Sequence, residues 1–207
     1  MTPTYSKIKI SQAKIIKNFP MISRRGRLWQ NYSCNGKVLN FGSGNVNNSA
    51  HREIKHAFEN VVSCDSDSLS GADYNNIYQI EDKFDLIIGE HILEHITVDD
   101  IINSLSKKFY NLLNDNGKLV LTIPNINNFG SYFTNFDHKN TSPPIDLAAI
   151  ICCNGFEVID FFSWSKTNQM EIQLRMNDFE IKLAEFMRIH YSLELDKHIT
   201  IVFQKNG

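Results

Sequence analysis

The sequence has no cysteine pair at C-x-x-C spacing, no excess of positive charge and no long apolar run. Its 207 residues include four cysteines, Cys34, Cys64, Cys152 and Cys153. None has the spacing of a zinc ribbon or a redox dithiol, so reduced thiols in a cytoplasmic protein are expected. Lys and Arg total 21 against 23 Asp and Glu, a formal charge of −2. That balance builds no polycationic surface and disfavours nucleic acid or anionic membrane as a partner. No apolar stretch approaches the roughly 20 residues of a membrane span. The opening MTPTYSKIKISQAKIIKNF lacks the apolar core of a signal peptide, which again points to the cytoplasm. No internal repeat or low-complexity linker divides the chain.

What is present is an ordinary globular balance, 42% hydrophobic and 21% charged, in a length that suits one domain. The most informative segment is KVLNFGSGN, from Lys37 to Asn45. Val38, Leu39 and Phe41 favour a strand. Gly42 and Gly44 permit a tight turn and close approach of a ligand, because neither carries a Cβ. Ser49 is the expected N-cap of a helix over Ala50–Phe58. Strand, glycine turn and helix form a nucleotide site at the carboxyl end of the first strand of an open α/β sheet.

The rest of the chain repeats that alternation. In residues 1–36, Ser11 is read as the cap of a short helix carrying Ile15, Ile16 and Phe19. Strands are expected at Lys37–Phe41, Asn60–Cys64 and, weakly, Tyr74–Ile80. Phe84–Ile88 is continuously apolar, as in a strand buried on both faces. Thr97 and Asp100 resemble a capping box ahead of a helix with Ile101, Leu105, Phe109 and Leu112 on one face. Lys118–Ile123 is the next strand, closed by Pro124. Pro143 and Pro144 open a helix that Gly155 ends, and Phe156–Phe162 follows as a strand. A helix near Asn177–Tyr191 carries Phe179, Leu183, Phe186 and His190 on one side, and His198–Phe203 is the last strand. This order predicts a doubly wound, mainly parallel sheet.

These segments resemble the class I S-adenosylmethionine-dependent methyltransferases over roughly Lys37–Trp164. VLNFGSGN is similar to the family's V-L-D-x-G-x-G-x-G motif. VVSCDSD matches a second strand ending in an acid, and FDLIIGEHILEHI matches a fourth strand followed by L-E-H. LLNDNGKLVLTIPN and NGFEVIDFFSW match the later strands. The resemblance implies a Rossmann-like, three-layer α/β/α fold with seven strands, the last one antiparallel. Residues 37–207 would be the methyltransferase domain, and 1–36 an extension serving as substrate lid or packing. It further implies S-adenosylmethionine as cofactor. Asn40, Phe41, Gly42, Ser43 and Gly44 would border its methionine part and ribose. Asp65 and Ser66 would lie at the ribose hydroxyls, Asn76 and Ile77 at the adenine, and Glu90 near the sulfonium.

The sequence departs from that family at Asn40 for the usual Asp, Val46 for the third glycine, Asn76 near an acidic position and Asn116 for a glycine. A nicotinamide site fits less well, because G-x-G-x-x-G requires glycine where Asn47 stands. His91, Glu94, His95 and His138 have a second reading. Residues i, i+3 and i+4 share a helical face, and the loop after the fifth strand hangs over the same sheet edge. The pattern is similar to metal-dependent members of the family, which carry E-x-x-E-H. With three imidazoles and one carboxylate, a divalent zinc, iron, cobalt or manganese ion suits the set better than magnesium. Metal-free relatives use the same Glu and His to support the loop. In that case His91 or His138 is the candidate general base, and His91, His95 and His138 are together the candidate catalytic residues.

Arg24, Arg25 and Arg27 are candidates for an acceptor's phosphate or sugar acid, or a solvated loop. Phe129, Tyr132, Phe133, Phe136 and Trp164 are candidates for an acceptor pocket, lid or core. His51, His56, His190 and His198 read as ordinary helix or strand residues, and Cys152 and Cys153 as packing. The expected activity is methyl transfer to an oxygen, secondarily a nitrogen, of a small molecule or sugar, such as a surface-polysaccharide or natural-product precursor. The active form would be a monomer or homodimer. The alternative is a non-catalytic methyltransferase-like domain acting as partner or regulator, motivated by Asn40, Val46 and Asn76.

Overall fold

A computed structural model describes residues 5–18, 22–23, 32, 35–126, 136–164 and 198–206. The chain runs α1 (Tyr5–Asn18), β1 (Ile22–Ser23), β2 (Val38–Phe41), α2 (Ser49–Ala57), β3 (Val61–Cys64) and β4 (Phe84–Glu90). It continues through α3 (Val98–Asp100), a π turn (Ile101–Leu105), α4 (Ser106–Leu112), β5 (Leu113–Pro124), α5 (Pro144–Cys152), β6 (Phe156–Trp164) and β7 (His198–Lys205).

The strands form one mixed sheet in the order β1-β6-β7-β5-β4-β2-β3. β3, β2, β4 and β5 pair in parallel, while β7 runs antiparallel between β5 and β6. Alternate residues of the central strands feed two separate cores. Leu39, Ile87, Leu119 and Leu121 face α4 and α5, where Phe109 and Ala148 pack. Val38, Leu86, Ile88 and Val120 face α2, where Ile54 packs. A sheet apolar on both faces needs helices on both, and this is why the FDLII segment reads as an unbroken apolar run. No helix among the described residues is long and apolar enough to cross a membrane.

Several expectations are corrected. Among the described residues six strands are four residues or longer, and Tyr74–Ile80 is not a seventh. Tyr74 makes a single bridge to Cys64. The chain then turns into a 3₁₀ segment at Ile77–Gln79, capped by the Asn76 side chain accepting from Tyr78 N. A side chain that captures a nearby amide offers the backbone an alternative to the ladder. The remaining place in the sheet is the dipeptide Ile22–Ser23, paired with Phe162 and Ser163. Ser11 is not a cap, because α1 begins six residues earlier at Tyr5. α1 packs against α5: Ile15 is buried, and Gln12 hydrogen-bonds Asp146. The region around Asn177–Tyr191, with Phe179, Leu183, Phe186 and His190, lies outside the described residues, as do Arg24, Arg25, Arg27, Phe129, Tyr132 and Phe133.

The α3–α4 segment matches its reading. Thr97 Oγ1 accepts from Asp100 N at 3.2 Å and donates to Asp100 Oδ2 at 2.6 Å. Ile101, Leu105, Phe109 and Leu112 are all buried. The cap of α2 is one residue earlier than expected: Asn48 Oδ1, not Ser49, accepts from His51 N at 2.7 Å. Asn48→Ala should therefore lower the unfolding free energy in urea by about 1 kcal/mol, while Ser49→Ala changes it by less than about 0.5 kcal/mol. The reverse ranking would contradict this cap.

Candidate active site

β2 delivers the chain to the carboxyl edge of the sheet, and two glycines turn it. Gly42 and Gly44 have φ of 71° and 59°. Both positions also lack room: a Cβ at Gly42 would lie 2.8 Å from Ile92 Cγ1, and one at Gly44 would lie 2.8 Å from Asn48 Nδ2. The turn is hydrogen-bonded along its length. Gly42 N donates to Cys64 O at 2.8 Å. Gly44 N donates to Asp65 Oδ2 at 2.7 Å. Asn48 Nδ2 donates to Ser43 O at 3.1 Å. Val46, at the third-glycine position, is accommodated because Gly71 faces it: a Cβ there would come within 3.1 Å of Val46 Cγ2.

Asp65 leaves β3 at the mouth of a cavity of about 570 Å³. Phe41, Gly42, Asp65, Ser66, Asn76 and Ile77 line it. Tyr78, Ile92 and Ile96 extend the wall beyond the residues expected from the sequence, and His95, a candidate catalytic residue, also reaches it. Asn40 and Ser43 are instead buried at 4% exposure, beneath and within the turn. Gly44 and Glu90 also lie outside the cavity wall. Cys64 also lines the cavity at 2% exposure, and burial, followed by the neighbouring Asp65 charge, pushes its thiol up to about 11.

Asn40 projects to the α2 side of the sheet, where its Nδ2 lies 3.0 Å from His51 Nδ1. His51 is 1% exposed and is no ordinary surface residue of a helix. Burial first, and Lys55 second, hold its pKa below 6.5, while Asp73 pulls in the other direction. Asp73 itself titrates low. Burial pushes its carboxyl up, but hydrogen bonds from Ser63 N and Oγ outweigh this.

The exit of β4 gathers the imidazoles. His91 adopts a φ of 56°, an uncommon conformation for a residue with a Cβ. Its N–H donates to Thr122 O at 2.8 Å, which pins the left-handed residue to β5. Its Nδ1 lies 3.3 Å from Glu94 Oε1. Its ring stacks edge-on against His198, with centroids 4.7 Å apart. Glu94 is 3% exposed, and its Oε2 has no hydrogen-bond partner among the described residues. The 138–140 loop is tied to this turn, because Lys139 N and Asn140 N both donate to Glu94 O, at 2.7 and 3.0 Å. The tie brings in His138. Glu94, His95 and His138 each offer a ligand atom within 4.8 Å of the others. His91 touches this trio through Glu94. His95 Nδ1 faces Asp137 Oδ2 at 3.2 Å.

His51 and His198 lie in a helix and a strand as read from the sequence, and as single histidines in regular elements they carry no local signal of the Asn40 and His91 contacts that the fold gives them. Only the pairing of β7 with β5 and β6 carries His198 to the β4 exit. Phe136, a candidate pocket aromatic, is fully exposed.

No family model matches the chain, and no curated protein matches it in sequence. Solved structures do match its shape. A SAM dependent methyltransferase from Archaeoglobus fulgidus aligns with a TM-score of 0.60 and 14% identity over 96% of this chain and 94% of that one. An S-adenosylmethionine-dependent methyltransferase from Clostridium acetobutylicum aligns with a TM-score of 0.58 and 13% identity over 99% and 93%. The N-methyltransferase NodS from Bradyrhizobium japonicum aligns with a TM-score of 0.57 and 8% identity over 98% of both chains. At these identities the likeness is one of fold.

Because the folded pKa of His51 lies below the unfolded value, the unfolded chain takes up the extra proton. Stability is then lost as pH falls below 6.5. Urea unfolding of the wild type should show this loss, and His51→Gln should flatten that part of the profile. An identical slope in the variant would rule out the assignment.

Proposed function

We propose that the chain is an S-adenosylmethionine-dependent methyltransferase that methylates an oxygen of a small molecule or sugar. The observation that carries this reading is the Asp65 carboxylate hydrogen-bonded to Gly44 N at the mouth of the cavity. The fold shared with solved methyltransferases supports it. Nitrogen is the second acceptor atom, favoured by the likeness to an N-methyltransferase.

The residues present suit this cofactor. Asp65 Oδ1 and Oδ2 already accept from Asp67 N and Gly44 N, and each carboxylate oxygen has a further lone pair for a ribose hydroxyl. Asn76 and Ile77 form the wall on the base side. Ile92 and Ile96 supply an apolar surface, and Gly42 lets the backbone approach closely. When bound, the cofactor supplies a methyl group activated by its positive sulfur. The protein's work is to align the acceptor oxygen with that methyl group and to receive the acceptor's proton. His91 and His138 are the candidate bases at the β4 exit.

We further propose that Glu94, His95 and His138 hold a divalent metal, with His91 orienting Glu94. Glu94 Oε1 is engaged by His91, which leaves Oε2 as the ligand atom. His95 Nδ1 faces Asp137, which leaves Nε2. Such outer partners commonly fix the ligands of a metal. A donor set of two imidazoles and one carboxylate suits zinc, iron, cobalt or manganese, and such a cation would acidify an acceptor hydroxyl.

Calorimetry should show S-adenosylmethionine binding, weakened by about 1–3 kcal/mol in Asp65→Ala. No binding at millimolar cofactor would overturn the enzyme reading and leave the non-catalytic one. Elemental analysis of protein purified without a histidine tag should find one metal per chain, lost in Glu94→Gln. Full activity in chelator with no bound metal would refute the metal site and leave histidine as the base.

A further inference from the structure

We infer that His51 is a positioning residue of the cofactor site, which fixes the amide of Asn40 beneath the Gly42–Gly44 turn. The inference rests on the methyltransferase reading, because its consequence is felt by a ligand that crosses this turn.

The chemistry of the contact sets the proton positions. An amide nitrogen has no lone pair to offer, so in the 3.0 Å contact Asn40 Nδ2 donates and His51 Nδ1 accepts. The imidazole proton therefore sits on Nε2. That atom is buried and has no hydrogen-bond partner among the described residues, so nothing there competes to reverse the tautomer. With Nδ2 bonded to His51, Oδ1 is left as the amide's acceptor, and it carries no charge.

His51 also anchors the turn through its backbone. Its N–H donates to Asn48 Oδ1, and Asn48 Nδ2 donates to Ser43 O. One residue thus joins the first turn of α2 to the strand below through its side chain and to the glycine turn through Asn48. The charged groups around it are Lys55 on its own helix and Asp73 from the segment after β3.

This arrangement accounts for Asn at position 40. A carboxylate there could pair with the neutral ring only through the Nδ1–H tautomer, and it would bury a net charge. Asn and neutral His are matched, and no net charge is buried. With the ribose at Asp65 and the base toward Asn76, the remainder of the ligand runs back across Gly42–Gly44 toward β2. The amino-acid end of the cofactor carries an ammonium group, the natural donor to Asn40 Oδ1.

Two probes separate positioning from general support. S-adenosylhomocysteine carries the amino-acid end, and 5′-methylthioadenosine lacks it. By calorimetry on the full chain, His51→Phe should weaken S-adenosylhomocysteine roughly tenfold and leave methylthioadenosine within about twofold. His51→Gln, whose side-chain oxygen can accept from Asn40, should recover most of the loss. Equal loss of both ligands, or loss of neither, would overturn the role of His51 alone. Failure of the wild type to bind either ligand would overturn the methyltransferase reading and this inference with it. Nitrogen-15 NMR of the wild type gives a check that no variant can spoil. His51 must be the neutral Nε2–H tautomer at neutral pH, and an Nδ1–H tautomer or an imidazolium would refute the inference.

Discussion

The bond from Gly44 N to Asp65 Oδ2 is the constraint on which one side of the cavity depends. It joins the tip of edge strand β3 to the turn after β2 and so sets the width of the cleft between them. Asp65 can serve this purpose because β2 and β3 run parallel and in register, with Phe41 opposite Cys64. Two strands ending at the same level present an acid and a glycine turn side by side. The same carboxylate accepts from Asp67 N and so shapes its own loop. The Asp65 carboxylate thus shapes both the glycine turn and its own loop at the cavity that it lines.

The opposite wall depends on a single unusual backbone residue. His91 takes a left-handed conformation at the end of β4 and is pinned by Thr122 O. That reversal folds Glu94 back under the turn at 3% exposure, where the 138–140 loop binds its carbonyl. Glu94 engages His91 through Oε1, and Glu94, His95 and His138 offer ligand atoms within 4.8 Å of one another.

Much of this was legible along the chain. The glycine turn, the acid at the tip of β3, the capping box at Thr97 and the helix face from Ile101 to Leu112 are local patterns, and local patterns survive folding. Tyr74–Ile80 was misread because Asn76 captures Tyr78 N and draws the segment out of the ladder. The cap of α2 was misplaced by one residue because Asn48 and Ser49 are both good caps, and only the bond to Ser43 O distinguishes Asn48. His51 and His198 were passed over because a lone histidine in a helix or strand carries no signal of what stands opposite it.

The sequence alone determined the order of elements, the parallel sheet and the residues at the carboxyl edge, because periodicity and glycine spacing act between near neighbours. Tertiary structure decided which side chains meet. It placed His198 against His91, His138 beside Glu94 and His51 against Asn40, across separations in sequence of 107, 44 and 11 residues. Those meetings arise from strand order, from a loop held by the Glu94 carbonyl and from alternation of side chains across the sheet. Each is a property of packing, set by which faces must be buried.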